Sequence, residues 1–294
     1  MLRRHIPGLS WSAARRLVDE GRVDVDESQA SDPAVRVAPG QVIRIREKSR
    51  QPRPESPSCI VYQDRHLVVA EKPAGVSSVP YERGERETLM DRVRDEWRRR
   101  GLAPAARVLH VVHRLDKDSS GLLVYARTRA SERALQMQFR KRVVSRIYLC
   151  LAHGRLESGT LESRLVRNRG DGLRGSAPPG RDQGKTAITH IRALKRFEGA
   201  TLCEARLETG RTHQIRIHLA ESGHPLVGER VYIRAFQTLG GRAIRSPRLM
   251  LHAASLAFDH PVENRRVSIE SSETPSFLSL VDVIVSGSSP GSVK

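Results

Sequence analysis

The chain has 294 residues, of which 38% are hydrophobic and 29% are charged, a composition typical of a soluble globular protein. It contains no run of 18 apolar residues, which excludes a membrane-spanning helix, and its N-terminus lacks the apolar segment of a secretion signal. The three cysteines are far apart in sequence, which excludes a disulfide framework and a Cys-x-x-Cys metal site. Because free thiols fit a reducing compartment, we expect a cytoplasmic location.

Positive charge is the strongest signal in the composition. The chain has 51 Lys and Arg residues against 33 Asp and Glu residues, a net charge of +18, and 44 of the basic residues are Arg. Such a surface attracts a polyanion, and Arg can donate two parallel hydrogen bonds to a phosphate. An Arg-rich genome would explain the preference for Arg over Lys, but not the net excess. We therefore expect a nucleic acid as partner, without a large base-stacking platform because aromatic residues make up only 4%.

The first 48 residues predict a small unit of one helix and short strands. Ser10 or Ser12 can cap a helix whose apolar residues recur at helical spacing until Gly21. Alternating apolar residues then predict three strands, at residues 23–25, 35–37 and 42–46.

Residues 9–25 and 36–43 resemble the small S-four-type (alpha-L) RNA-binding domain of ribosomal proteins and RNA-modifying enzymes. The resemblance implies that Arg15, Arg16 and Arg22 contact RNA phosphates. An ordinary solvated helix face would carry the same charges.

The rest of the chain predicts a linker, one large domain and a tail. Residues 49–58 contain three prolines and no apolar residue, so we expect an extended linker. Residues 59–285 form one domain-sized block, and the Gly/Ser-rich residues 286–294 are expected to be a disordered tail.

Within the large block, strands outnumber helices and do not alternate regularly with them. One helix is expected after Thr88 and another from Ser131. Strands are expected near residues 60–62, 67–70, 108–112, 122–125, 147–151, 186–194, 202–207 and 249–258. This order predicts an α+β fold with a mixed or antiparallel central sheet and flanking helices and loops, not a doubly wound fold.

The densest polar segment, at residues 113–121, reads His-Arg-Leu-Asp-Lys-Asp-Ser-Ser-Gly and lies between two apolar strands. A loop held at both ends by a rigid scaffold is a common place for function. The same residues would also suit a purely structural turn, in which Asp116 caps the turn and Arg114 forms an ion pair with Asp116.

The second dense segment, at residues 207–219, contains Thr-Gly-Arg-Thr-His-Gln-Ile-Arg. Gln214, Arg216 and His218 alternate with apolar residues, which predicts a strand with one polar row that can line a site. An exposed amphipathic strand would show the same alternation.

Together these segments resemble the RluA-type pseudouridine synthases, which isomerise chosen uridines in ribosomal or transfer RNA. Further matching segments, in the order of that family, are residues 64–75, 146–149, 184–187, 223–228 and 251–253. Ser119, Arg146 and Glu229 stand where the family more often has Thr, Lys and Asp, and they keep the hydroxyl and the charges. Residues 168–183 are less family-like and are expected to form an exposed loop that faces RNA.

The resemblance implies a role for each motif residue. Asp116 would act near the anomeric carbon of the ribose, either by attack on the sugar or by removal of a proton. Arg216 would lie beside it as the cation that keeps it ionised, and Tyr148 would pack on the target base and is a candidate to take the final ring proton. Arg114 would fill the space left by the flipped uridine. The remaining predicted substrate contacts are His113, Arg211, His213 and Gln214.

Isomerisation adds and removes no group overall, so we expect no cofactor and no metal. The expected partner is RNA, with ribosomal RNA of the large subunit favoured and transfer RNA possible. We expect a monomer that does not bind membranes.

Two other functions compete with this interpretation. A metal-dependent nuclease would use the pairs His110 with His113 and His213 with His218. However, no His-x-x-x-His helix or carboxylate cluster accompanies them, and His213 and His218 would point to opposite faces of one strand. A non-catalytic RNA-binding or ribosome-assembly protein that retains the synthase fold is the second alternative, and the intact motif residues argue against it.

Overall fold

The computed structural model describes residues 8–19, 21–26, 28–30, 37–47, 58–82, 84–178, 180 and 183–286. The chain divides into two compact units, Met1–Ser58 and Cys59–Lys294, with the division at the end of the expected linker. Most of that linker and tail residues 287–294 lie outside the described residues. No helix among the described residues is long and apolar enough to cross a membrane.

Among its described residues, the N-terminal unit has one helix and three short antiparallel strands. They are α1 (Trp11–Asp19), β1 (Val23–Val25), β2 (Ser28–Gln29) and β3 (Ile43–Ile45), with strand order β2-β1-β3. The Oγ atom of Ser10 accepts a hydrogen bond from the Ala13 N–H, as expected of the helix cap. The prediction of a strand at residues 35–37 is wrong at Val37, which lies in no strand. Residue 35 lies outside the described residues. The chain instead turns at Asp26, in the left-handed region, and pairs immediately as β2.

The described residues of the larger unit form one sheet of eleven strands. Its strands are β4 (Ile60–Gln63), β5 (Leu67–Lys72), β6 (His110–Val111), β7 (Ser120–Ala126), β8 (Ser145–His153), β9 (Gly159–Val166), β10 (Gly175–Ser176), β11 (Lys185–Phe197), β12 (Ala200–Leu207), β13 (Leu251–Asp259) and β14 (Arg266–Glu270). The order is β10-β9-β11-β12-β8-β13-β7-β5-β4, with β14 beside β13 and β6 beside β7. Strands β13 and β7 run parallel and the other neighbours run antiparallel. The predicted α+β fold with a mixed sheet is confirmed.

Helices flank the sheet. They are α2 (Leu89–Arg99), α3 (Arg129–Arg140), α4 (Gln214–Glu221), α5 (Arg234–Thr238) and α6 (Thr274–Ser286), with a 3₁₀ turn at Pro104–Arg107. Thr88 caps α2 as predicted, whereas α3 begins two residues earlier than predicted, because Thr128 accepts the N–H of Ser131. Val68 of β5 packs in the cluster that contains Trp97 of α2. Leu67 packs in the cluster that contains Leu135 of α3. Alternate residues of a strand face opposite sides, so the sheet is covered on both faces.

The second motif is a helix and not the strand that its alternation predicted. Residues 214–219 of α4 are all buried, so the polar and apolar residues do not divide between two faces. His213 precedes the helix with a φ of 58°, which turns the chain from β12 into the first helical turn. A period of two is informative only when one face is solvated, and that condition fails here.

The first motif is fixed where β7 begins. Ser120 and Gly121 pair with His252 and Ala253 of the parallel strand β13. Gly121 has a φ of +109°, and a Cβ there would lie 2.3 Å from the carbonyl oxygen of Ala253. Only glycine fits this position, so the loop ends at a fixed point on the sheet.

Candidate active site

The two motifs meet at a cavity of about 1510 Å³ in the larger unit. It is lined by the loop after β6, by β8 and by the segment between β12 and α4. Seven of the predicted site residues line it, namely His113, Arg114, Asp116, Tyr148, Arg211, His213 and Gln214.

Asp116 lies beside Arg216, as the sequence predicted. The Nη1 atom of Arg216 is 3.7 Å from Oδ2 of Asp116, and Nε2 of His213 is 4.0 Å from Oδ1. The Asp116 side chain is 22% exposed, while that of Arg216 is 4% exposed. A buried guanidinium therefore faces a carboxylate that remains accessible from the cavity.

Glu229 fixes the direction of the Arg216 guanidinium. Its two carboxylate oxygens accept hydrogen bonds from Nε and Nη2 of Arg216, at 2.8 and 2.7 Å. Its Oε1 atom also accepts the backbone N–H groups of Arg230 and Val231. Burial alone would lower the pKa of Arg216, but the paired carboxylate raises it, and the pKa of Glu229 falls because the same contacts outweigh burial. Both groups are therefore charged, which leaves Nη1 directed toward Asp116.

Tyr148 lies in the wall of the same cavity and is 7% exposed. It is on β8, two residues after Arg146, so both side chains are on one face of the strand. Burial raises the pKa of the Tyr148 phenol, so the ring is neutral. A neutral aromatic ring in a cavity wall is suited to pack against a base.

Arg146 is a buried arginine that lacks a carboxylate partner among the described residues. It is 8% exposed, its guanidinium lies 5.4 Å from the centroid of Phe139, and its Nε atom has no hydrogen-bond acceptor. Burial lowers its pKa. Because it lines the cavity, an anion that enters can supply the missing partner.

His113 faces the same part of the wall. Its ring stacks on Phe139 at 4.6 Å, and its Nε2 atom accepts the N–H of Val124 at 3.1 Å. Burial lowers its pKa to about 3, and the charge of Arg146 acts in the same direction. His113 is therefore a neutral ring that joins the motif to β7.

Comparison with known proteins agrees with this geometry. The family described as RNA pseudouridylate synthase matches residues 66–221 of the chain. The chain belongs to this family. The reaction of the family is the isomerisation of uridine in RNA, as the RluA-type motifs predicted.

Several relatives match over most of the synthase. This chain is 38% identical over 233 residues to ribosomal large subunit pseudouridine synthase D of Pseudomonas aeruginosa, and the match covers 76% of this chain and 71% of that protein. It is 32% identical over 290 residues to ribosomal large subunit pseudouridine synthase C of Vibrio cholerae, covering 91% and 86%. Among solved structures, human RNA pseudouridylate synthase domain containing 1 matches with a TM-score of 0.60 and 26% identity, covering 76% of this chain and 87% of that one.

The loop of the synthase that carries Asp116 is held on both sides of that residue. Ser78 donates to the carbonyl of Leu115 and accepts its N–H, at 2.9 and 3.0 Å. The buried Nζ of Lys72 donates to the Lys117 carbonyl at 2.9 Å and to two further carbonyls. Burial lowers the pKa of Lys72 to about 7, against the charge of Asp116. Lys72 belongs to a matching segment, but its contact with the loop was not predicted.

Gln214 is placed differently from the prediction of an RNA contact. It is 2% exposed, its Oε1 accepts from Thr209 and from the N–H of Arg211, and its Nε2 donates to Ile188 and Thr189. Both amide atoms are occupied within the protein, because the residue begins a helix and is not on an exposed strand. Gln214 is therefore a support of the site and not a free contact.

The other three predicted RNA contacts at the cavity differ in how many hydrogen bonds they make within the protein. Arg114 is exposed and, within the described part of the chain, makes no hydrogen bond or ion pair. Arg211 donates from Nε to the carbonyl of Thr186 at 3.0 Å. His213 contacts the Tyr232 hydroxyl through Nδ1 at 2.7 Å. Arg114 is thus the predicted contact most able to reorient when RNA binds.

His213 and His218 are placed differently from the prediction. His213 and His218 do not lie on opposite faces of a strand, because one precedes α4 and the other is inside it. The ring nitrogens of His218 contact Ser163 and Thr189 at 3.1 and 2.9 Å, whereas His213 is turned toward Tyr232. The two rings have separate partners within the fold.

The three predicted RNA contacts of the first unit lie outside this cavity. Arg15 and Arg16 are exposed on α1, and the Nε atom of Arg22 donates to the Arg46 carbonyl at 2.8 Å. Their contact with RNA remains a prediction.

Proposed function

We propose that the protein isomerises uridines of large-subunit ribosomal RNA to pseudouridine, with Asp116 as the catalytic carboxylate. The choice of RNA is supported by the relatives named as synthases of the ribosomal large subunit. The observation that carries the chemistry is Asp116 beside the buried Arg216–Glu229 pair, in a cavity with Tyr148 in its wall.

The geometry suits an ionised carboxylate that acts on the ribose. Arg216 approaches Asp116 without a close hydrogen bond, so the carboxylate is held by charge while its oxygens stay available. Breaking the bond from ribose to uracil nitrogen leaves the sugar electron-poor, and a carboxylate stabilises that charge either by attack or by taking a proton. Both routes need the same ionised Asp116.

Tyr148 and Arg114 have complementary tasks in this proposal. A target uridine must leave its stack, at a cost of a few kcal/mol, before it can enter the cavity. Arg114 fills the space that the base leaves, because it is exposed and free to move. Tyr148 packs against the extruded base, and its raised pKa favours this packing over the role of a base that takes the ring proton.

Basic residues around the cavity and on the first unit guide the RNA. Arg146 and Arg211 line the cavity, and Arg15, Arg16 and Arg22 are the basic residues of the first unit that we propose to contact RNA phosphates. We propose that this unit is an S-four-type RNA-binding domain. We propose that the protein acts as a monomer in the cytoplasm, without metal or cofactor.

The test is release of tritium from ribosomal RNA that carries tritium on the fifth ring carbon of uridine. Asp116→Asn keeps the shape of the side chain but removes its charge, so we expect release to fall at least about a thousandfold. Asp118→Asn is the matched control, because Asp118 is an exposed residue of the same loop that does not line the cavity. Normal release by Asp116→Asn, or equal losses in both variants, would refute the assignment. A preference for transfer RNA over ribosomal RNA would refute the proposed substrate.

A further inference from the structure

The turn between β9 and β10, residues 167–174, has a shape fixed by its own side chains. The Oδ1 atom of Asn168 accepts the N–H groups of Gly170 and Gly172, at 2.8 and 2.9 Å. The Oδ1 atom of Asp171 accepts the N–H of Leu173 at 3.0 Å. Side-chain to backbone bonds of this kind stabilise a single turn conformation.

Arg169 and Glu221 fasten this turn to the end of α4. Arg169 donates from Nε and Nη2 to Asp171, at 3.0 and 2.9 Å, and its Nη1 lies 3.4 Å from Oε1 of Glu221. Glu221 also accepts the N–H and the hydroxyl of Ser176, at 2.9 and 2.5 Å. A Cβ on Gly175 would lie 2.3 Å from Cδ of Arg169 and 2.8 Å from Glu221, so the turn and the helix end are in close contact. The position of residue 174 is therefore fixed by the contacts between this turn and the end of α4.

Arg174 extends from this turn into the wall of the catalytic cavity. It is half-buried and makes no hydrogen bond or ion pair with any residue that the structure describes. It lines the same cavity as His213, whose Nε2 atom lies 4.0 Å from Oδ1 of Asp116.

We infer that Arg174 binds a phosphate of the RNA strand next to the target uridine. The inference deepens the proposed function and rests on it. A half-buried guanidinium without a carboxylate partner favours an anion, and phosphate is the anion that RNA brings to the cavity. The fixed turn presents the charge at one place, so the contact selects RNA whose backbone passes that place when the uridine is inserted.

The experiment compares Arg174→Gln with Arg167→Gln. Arg167 is an exposed residue of the same turn that does not line the cavity, so it controls for a general loss of charge. For Arg174→Gln we expect KM on ribosomal RNA to rise about tenfold with kcat within about twofold, since a charged hydrogen bond is lost. The slope of log KM against log salt should fall by about one, whereas Arg167→Gln keeps KM near that of the wild type.

Two more variants separate contact from folding. Arg174→Lys should restore the salt slope but only part of the affinity, because a lysine cannot donate two parallel hydrogen bonds. Glu221→Gln, which leaves Arg174 in place but weakens its support, should raise KM by a smaller factor with an unchanged circular dichroism spectrum.

The outcome is decisive in each direction. If Arg174→Gln behaves like Arg167→Gln, or lowers kcat at an unchanged salt slope, Arg174 does not bind phosphate. Binding of ribosomal RNA by the two variants is also measured by filter retention over the same salt range. A wild-type protein that releases no tritium refutes the proposed function, while the binding slopes still decide the role of Arg174.

Discussion

Two buried arginines of the candidate site differ in what surrounds their charge. Arg216 is 4% exposed and is bound by both oxygens of Glu229, whereas Arg146 is 8% exposed and contacts the face of Phe139. Contact with its carboxylate raises the pKa of Arg216 against the effect of burial, and burial lowers that of Arg146. In the described parts of the chain, no carboxylate compensates Arg146.

The difference separates a preorganised group from a binding group. Burial of a charge is unfavourable unless a partner replaces its hydration. Arg216 has that partner in the free protein, so its position beside Asp116 is fixed before RNA arrives. Arg146 has no such partner among the described residues, so we expect a phosphate or a base oxygen of bound RNA to compensate part of its burial.

The largest expected effect tests the paired side. Glu229→Gln removes the carboxylate that accepts two hydrogen bonds from the buried Arg216 and leaves only Asp116, at 3.7 Å, as its charged partner. We expect a loss of about 3–5 kcal/mol in the free energy of unfolding. Urea denaturation measures it, with Glu208→Gln as control, because Glu208 forms a half-exposed pair with Arg142. The control should lose less than about 1 kcal/mol. Equal stability of Glu229→Gln and the wild type would show that Arg216 does not depend on the pair.

Removing the charge of the unpaired Arg146 should not lower the free energy of unfolding, in contrast to the change at Glu229. Arg146→Met removes a buried charge and keeps an apolar contact with Phe139, so we expect the free energy of unfolding to stay the same or to rise by up to about 2 kcal/mol. KM for RNA should rise about tenfold because a charged contact is lost. Urea denaturation and tritium release measure the two effects. Arg146→Lys is the matched control and should keep most of the affinity. A destabilisation as large as that of Glu229→Gln would mean that Arg146 has a partner in the free protein.

Much of the fold was predictable because its strands alternate in the ordinary way. β8, β11, β12 and β13 lie where alternating or continuous apolar runs predicted them. The resemblance of the two motifs to the RluA-type synthases implied that Arg216 would lie beside Asp116 and that Tyr148 would be in the same site. These features depend on local pattern and on motif order, both of which are present in a single sequence.

The parts that were not predicted depend on contacts between distant segments. The alternation of polar and apolar residues in 214–219 predicted a strand. These residues are all buried in a helix, so the alternation does not separate a buried face from an exposed one. Glu229 was read only as a substitution for Asp, because nothing local indicates that it binds Arg216. Cys150 and Cys203, 53 residues apart, are both free with sulfur atoms 3.3 Å apart across β8 and β12. Contacts of this kind between distant residues depend on which strands are neighbours in the sheet, and a single sequence does not show this.

A further expected effect concerns the pH dependence of stability and arises at His113, in the part of the cavity wall that contains Arg146. Folded His113 has a pKa of about 3, against about 6.5 in the unfolded chain, so between these values the unfolded state binds one more proton. The contribution of His113 to stability is therefore complete above pH 6.5 and falls as the pH drops toward 3, by about 1.4 kcal/mol per pH unit. His113→Asn removes this titration, so its free energy of unfolding should change less between pH 6.5 and 4.5.

The same pH series links His113 to the comparison of the two arginines. The charge of Arg146 contributes to the low pKa of His113, after burial. In Arg146→Met the pKa of His113 should rise toward 6.5, so the acid-induced loss should end at a higher pH than in the wild type. Urea denaturation at half-unit steps from about pH 2.5 to 7, which spans the folded pKa of about 3, compares the three proteins. If the curve of Arg146→Met runs parallel to that of the wild type, the guanidinium does not act on His113, and the unpaired charge is screened by solvent in the cavity.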